Sequence, residues 1–331
     1  RSGAAPRYTP APPPEPPHSS APLGLYVHVP FCKAKCGYCD FYSIPIASDS
    51  APGFVRAVRE ELLGRRPARP VETVFVGGGT PTVLPADALR SLLQTLALAA
   101  PAAGEFTVEA NPATTAELEF TLLRECGVNR LSLGAQSFDD RELALLGRVH
   151  QSRQIAESVA AARGAGFMNL NLDLIYGIPG QSLDGWRASL RRAVDLDPQH
   201  LSCYGLTYEP GTAFTRRRDG GEITPCDETL EAEMFELTID ELIAAGFEHY
   251  EISNFARPGR RCRANIIYWE NREYLGVGPS AVSYLDGVRR RNVADVGRYL
   301  ESMETDPDAV VTEEERLSPH ARACETAIQM L

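Results

Sequence analysis

Tyr26-Val27-His28-Val29-Pro30-Phe31-Cys32-Lys33-Ala34-Lys35-Cys36-Gly37-Tyr38-Cys39-Asp40-Phe41 is the stretch on which the reading of this chain turns. It begins as a strand-like run carrying Leu25, Val27 and Val29, then opens into a loop with Cys32, Cys36 and Cys39 at Cys-x3-Cys-x2-Cys spacing. Three soft thiolates on one short loop can each take one iron of a cubane iron–sulfur cluster. The loop offers no fourth thiolate, which leaves one iron open to an outside ligand, the feature that separates reactive metal sites from structural ones. Ferredoxin-type runs and zinc sites use Cys-x2-Cys pairs and fit this spacing poorly. The competing reading is three unrelated thiols, with or without zinc. Its weakness is that buried structural cysteines seldom cluster so tightly.

With 331 residues, 44% of them hydrophobic, the chain can build one large core and an appendage. A formal net charge of −11 works against a nucleic-acid substrate, whose recognition needs a basic face. No apolar run approaches the ~20 residues of a membrane-spanning helix, so at most peripheral membrane contact is expected. Eight cysteines, three of them clustered, do not form a disulfide framework. They point to a reducing, cytoplasmic setting, with Cys126, Cys203, Cys226, Cys262 and Cys324 as packing or incidental thiols.

Residues 1–22 hold eight prolines among Ala, Ser and Gly, a composition that cannot offset its ordering entropy. A disordered arm is expected there. The chain lacks an initiator Met, as a fragment or processed form would, and Arg1 and Arg7 are weak support for a transit peptide. From Leu23 a β–α alternation predicts strands at 24–29, 72–77, 105–110, 129–134, 169–175, 200–206 and 248–253. Leu183, Trp186, Leu190 and Val194 keep helical spacing. So do Phe235, Ile239, Leu242 and Ile243, in a segment opened by Thr224-Pro225 and closed by Gly246. Short apolar strands between amphipathic helices argue for an α/β fold with a parallel sheet. Six or seven units are too few for an eightfold closed barrel, so an open partial barrel is expected over 23–255, followed by an accessory region over 256–331.

Polar signatures fall where these strands end. Gly77-Gly78-Gly79-Thr80-Pro81 lets backbone approach a ligand such as an ammonium group, and lacks the Lys of a nucleotide-binding phosphate loop. On its own it would be an ordinary turn. Glu109, Gln136, Arg148 and Asp173 also stand at or just after strand ends, where β/α barrels gather ligand groups. Arg148 suits a carboxylate, and Glu109 or Asp173 suits hydroxyls or an ammonium. Helix capping and rim salt bridges explain any one of them equally well. His28 and His150 read as structural histidines rather than ligands.

The ordered set formed by the cysteine loop, Gly77-Gly78-Gly79-Thr80-Pro81-Thr82, Glu109-Ala110-Asn111-Pro112, Asn129 to Phe138 and Leu172 to Gln181 resembles the coproporphyrinogen dehydrogenase-like radical S-adenosylmethionine (SAM) proteins. Within them, from about residue 23 onward, it is most similar to the HemW-type heme chaperones. The resemblance implies a 4Fe-4S cluster on Cys32, Cys36 and Cys39, with SAM taking the open iron and Tyr26, Gly78, Glu109 and Gln136 nearby. In dehydrogenases of this kind a second SAM lies near the positions matching Tyr38, Gly79, Thr80, Arg148 and Asp173.

Two branches need separating. The dehydrogenase, which decarboxylates coproporphyrinogen III oxidatively, carries a further cysteine two positions after the third; here that position is Phe41. The Cys39-Asp40-Phe41 ending, Glu251 to Ala256 and Asn265 to Trp269 resemble the HemW type instead, which implies binding heme and passing it to apo-proteins. A radical SAM enzyme acting on RNA or a peptide is the third possibility, and the acidic balance disfavours RNA. Two positions depart from the pattern: Ala264 and Val282 stand where relatives carry His. Neither side chain can ligate iron. The remaining candidates for a heme ligand are His249, His28, His150, Tyr268 and Cys262, the last beside Arg260, Arg261 and Arg263, which would lower a thiol pKa. The family continues into a further C-terminal domain, which this chain is expected to lack beyond its first part.

Overall fold

A computed structural model of the chain describes residues 21–47, 50–65, 69–112 and 117–329. The expected disordered arm lies, up to residue 20, outside the described residues. Six parallel strands form the centre of one sheet: Leu23–Val29, Val71–Gly78, Glu105–Ala110, Arg130–Gln136, Leu170–Tyr176 and His200–Gly205. They pair in chain order, each beside the next. Helices such as Ala86–Ala99, Ser152–Gly164 and Leu183–Asp195 make the crossovers that parallel neighbours require. The twelve-stranded order runs from Val311–Arg316 at one edge to Glu248–His249 at the other, and these two edges do not pair. The barrel is therefore open, as expected from the number of units.

Alternation along the strands sets what faces where. Phe106, Val108, Leu131, Leu133, Leu170, Leu172, Leu174 and Leu201 are buried on the side covered by helices and form the main core. The intervening positions are polar: Glu105, Thr107 and Glu109; Arg130 and Ser132; Asn171 and Asp173; His200, Ser202 and Tyr204. Successive strand residues point to opposite faces, so this second set lines the concave interior. The outer layer is pinned by Trp186, whose indole N–H donates to Thr238 Oγ1 at 2.9 Å, joining Leu183–Asp195 to Glu228–Ala244. On the latter helix Met234, Thr238 and Leu242 are the buried positions, while Ile243 is exposed.

One expectation needs correction. The 248–253 segment is not a barrel strand: only Glu248–His249 is extended, pairing antiparallel with Asn254–Ala256, which runs antiparallel to His200–Gly205. The chain turns back here because 250–253 folds onto itself, with Glu251 accepting from the Ser253 and Asn254 side of the turn. Strands from beyond residue 255 extend the same sheet at its other end. Tyr274–Val277 adds in parallel to the free edge of Leu23–Val29, and three antiparallel strands follow it. The last pair is a charge ladder, Arg289, Arg290 and Arg291 opposite Glu315, Glu314 and Glu313, which covers the edge with charge.

Candidate functional site

The cysteine loop is clamped on several sides. Phe31–Cys32 pairs in parallel with Ile44–Pro45, and the amides of Gly79 and Thr80 donate to the carbonyls of Val29 (2.8 Å) and Phe31 (2.7 Å). Opposite, Gly37 N–H donates to Leu146 O (3.4 Å), while Phe214 N–H donates to Gly37 O (2.9 Å). Gly37 has to be glycine here: a Cβ would sit 2.9 Å from the Phe214 ring. The triple glycine is equally constrained. A Cβ on Gly77 would lie 2.7 Å from the Glu109 carboxylate, and one on Gly79 would lie 2.5 Å from Phe31 O. Gly78 has φ +101°, with the His28 ring 2.5 Å from where a Cβ would stand. Gly78 and Gly79 line the cleft, while the space a Cβ would need at all three positions is filled by protein atoms, so internal packing by itself demands these glycines.

Cys32, Cys36 and Cys39 are free thiols, all three partly exposed, and all line one cleft of about 560 Å³ at the C-terminal end of the parallel strands. The same wall holds Tyr38, Gly78, Gly79, Thr80, Glu109, Gln136, Arg148 and Asp173. Among the described residues no three His, Cys, Asp or Glu side chains converge on a point for a single ion. A cluster uses one thiolate per iron, and the soft donor set of three cysteines on one cleft fits it. Burial pushes the Cys39 thiol up to about 11, so loading with iron has to displace its proton.

Arg148 stitches the loop to the barrel. Its Nη1 donates to Cys36 Sγ (3.4 Å) and its Nη2 to Gly134 O (2.8 Å), while its buried Nε has no protein partner. Tyr38, whose phenol pKa is raised by burial, is hydrogen-bonded by the same guanidinium. Gln136 sits at a bulge where pairing with Leu170–Tyr176 shifts register, with φ +65°. Such bulges re-aim a side chain beside a site. Glu109 accepts from Gly78 N–H at 3.1 Å, and burial together with the nearby Asp173 pushes its carboxyl up to about 8. Asp173 is also raised by burial, against donors from Asn171 (2.8 Å) and Ser132 (3.0 Å).

Tyr26 is the one anticipated residue that does not reach the cleft wall. Its hydroxyl donates to His28 Nδ1 (3.0 Å), near Glu109 in the barrel interior, because its neighbours Leu25 and Val27 take the alternate face against the helices. His28 donates from Nε2 to Tyr42 O (2.8 Å) and His150 bonds Ala135 O (3.1 Å); both are buried structural groups. Cys262 is a packing thiol and not an activated one. Its thiol is fully buried, 3.6 Å from Glu105 Oε1, and burial pushes it up to about 12 rather than down. Arg261 is turned away to Glu248 (3.1 Å), so the neighbouring charges do not activate the thiol. Ala264 is buried with its amide on Glu105, and His249 stacks on Phe255 at the sheet's far edge. Among the described residues no histidine lines the cleft. Sequence reasoning missed Ser132 and Tyr204, which do line it, and the buried Asn171 and His200 below them. Their signal was the polar alternation His200-x-Ser202-x-Tyr204 beside Asn171-x-Asp173.

An open parallel barrel with a three-thiolate loop over a polar rim defines a protein of the radical SAM class. The Radical SAM superfamily model matches residues 26–193. The chain is 38% identical over 282 residues to the heme chaperone HemW of Bacillus subtilis, covering 83% of this chain and 74% of that protein. It is 38% identical over 297 residues to the heme chaperone HemW of Escherichia coli, covering 85% and 78%. Among solved structures, coproporphyrinogen III oxidase (HemN) of Escherichia coli, a radical SAM enzyme, superposes with a TM-score of 0.82 at 25% identity, over 95% of this chain and 76% of that one. The chain belongs to the HemW family of radical SAM proteins, and that membership implies a 4Fe-4S cluster and SAM as cofactors.

Proposed function

We propose that this protein is a heme chaperone, which binds heme and delivers it to heme-dependent apo-proteins in a reducing, cytoplasmic setting. Cys32, Cys36 and Cys39 hold the 4Fe-4S cluster, which supplies an electron to the SAM sulfonium when both are bound. Gly78 presents bare backbone to SAM, Glu109 and Gln136 offer polar partners, and Tyr26 shapes the floor beneath them. Tyr38, Gly79, Thr80, Arg148 and Asp173 form the adjoining wall, where a second SAM would be held. Residues 23–255 carry these groups, and residues 256–331 act as an accessory region that extends the sheet. Heme is cargo in this reading, held without Ala264 or Val282.

The observation that carries this reading is position 41. In the cleft wall beside three thiols it presents Phe41, 67% exposed, where a coproporphyrinogen dehydrogenase would carry a fourth cysteine. The test pairs two anaerobic measurements on cluster-loaded protein. Heme titration gives a saturable Soret shift, and incubation with SAM, reductant and coproporphyrinogen III gives no protoporphyrinogen. The superposition on HemN favours a second reading, oxygen-independent coproporphyrinogen III oxidation. Formation of protoporphyrinogen would establish it in place of the first.

A further inference from the structure

Beneath Asp173 a chain of hydrogen bonds runs to the barrel floor, and each donor in it can be identified. Asn171 donates from Nδ2 to Asp173 Oδ1 (2.8 Å) and to Ser132 Oγ (2.7 Å), and Ser132 donates in turn to Asp173 Oδ2 (3.0 Å). The Asn171 carbonyl oxygen is therefore left to accept, and it does so from Ser202 Oγ (3.2 Å) and His200 Nδ1 (2.6 Å). An amide oxygen only accepts, so the His200 proton sits on Nδ1. Nε2 is then an acceptor, filled by the hydroxyl of Tyr250 at 2.7 Å. Tyr250 OH accepts from the backbone N–H of Cys262 (3.4 Å). His200 has no exposed surface, and burial, with the Arg130 guanidinium close by, holds its imidazole well below the usual range and neutral.

Every dipole in this series points the same way, from the floor towards the cleft, and ends as a donor on one carboxylate. Reversal of the Asn171 amide would set a carbonyl oxygen against Asp173, and the Nδ1–H of His200 opposes that reversal. We infer that His200, braced by Tyr250, is a positioning residue that acts through Asn171 to hold Asp173 as an oriented acceptor facing the cofactor cleft. The ligand groups such an acceptor takes are donors, hydroxyls or an ammonium. This inference rests on the proposed contact between Asp173 and a second SAM.

The test is a double-mutant cycle read by SAM affinity in anaerobic calorimetry on the cluster-loaded chain. Asp173→Asn and His200→Phe each weaken SAM about tenfold, the scale of one lost hydrogen bond to a charged group. The double variant is no weaker than Asp173→Asn, because His200 acts only through that carboxylate. His200→Asn, which keeps a donor at the Nδ1 position, restores most of the affinity; a merely space-filling role would not show that rescue. Additive losses, or full affinity in His200→Phe beside a weakened Asp173→Asn, overturn the inference alone. Full affinity in Asp173→Asn overturns the reading of Asp173 itself and the inference with it. Should His200→Phe fail to fold, Tyr250→Phe replaces it in the cycle, and ¹⁵N NMR of the parent ring decides: an Nε2–H tautomer refutes the assignment.

Discussion

Glu109→Gln is the substitution with the clearest thermodynamic signature. In the native protein burial and Asp173 push this carboxyl from its ordinary 4.5 up to about 8. A raised carboxyl pKa means the folded state binds a proton that the unfolded state has released. Stability therefore falls as pH rises from the unfolded value, near 4.5, to the folded one, near 8, and levels off above it. Integrating the two titrations between about pH 5.5 and about pH 8.5 gives a loss of roughly 3 kcal/mol, or about half of that once water entering the open cleft is allowed for. Glutamine has the shape of the protonated acid and no titration, so the variant escapes this loss. Urea denaturation of parent and variant at both pH values provides the assay. The variant should gain about 1.5–3 kcal/mol on the parent between the two conditions. A difference between them that is the same at both pH values would refute the reasoning, because it would show Glu109 titrating as an ordinary surface carboxylate.

Three further outcomes follow from the geometry. Cys36→Ala should abolish the brown absorbance of the reconstituted cluster and cut bound iron; unchanged iron content would remove the cluster assignment. Gly78→Ala should destabilise the fold itself, since φ +101° costs an L residue about 1–2 kcal/mol and the added Cβ must displace His28 from its two hydrogen bonds. A melting temperature equal to the parent's would contradict it. Arg148→Lys should weaken SAM affinity at least several-fold while leaving the cluster's iron content intact, because an ammonium lacks the fork that spans Cys36 Sγ and Gly134 O. Equal affinity would show that the fork does no positioning.

Much of the site was legible because it rests on short-range pattern. The thiol spacing, each strand ending (Gly77 to Thr80, Glu109, Gln136 and Asp173) and the strand alternation are each a pattern contained within a few consecutive residues, although the patterns themselves are spread along the chain. Strand geometry converts such local order into a face and a rim with no further information. The helices at Trp186 and Leu242 were readable for the same reason, although which residues lie deepest depended on the Trp186–Thr238 bond between two helices. The fate of 248–253 was not readable: Tyr250 and Ile252 alternate with polar residues as in a strand, and only the return pairing of Glu248 and His249 on Ala256 and Phe255 makes it a turned edge. Cys262 shows the limit most plainly. Three neighbouring arginines left an activated thiol open beside a packing role, and the choice is made by Glu105 and Arg130, 157 and 132 positions away in the chain, inside the barrel. The polar series from Tyr250 through His200 and Asn171 to Asp173 has the same origin. Sequence alone established that polar residues alternate along these strands; only parallel register, by placing Asn171 beside His200 and Asp173 beside Ser202, decided that they join into one chain ending in the cleft.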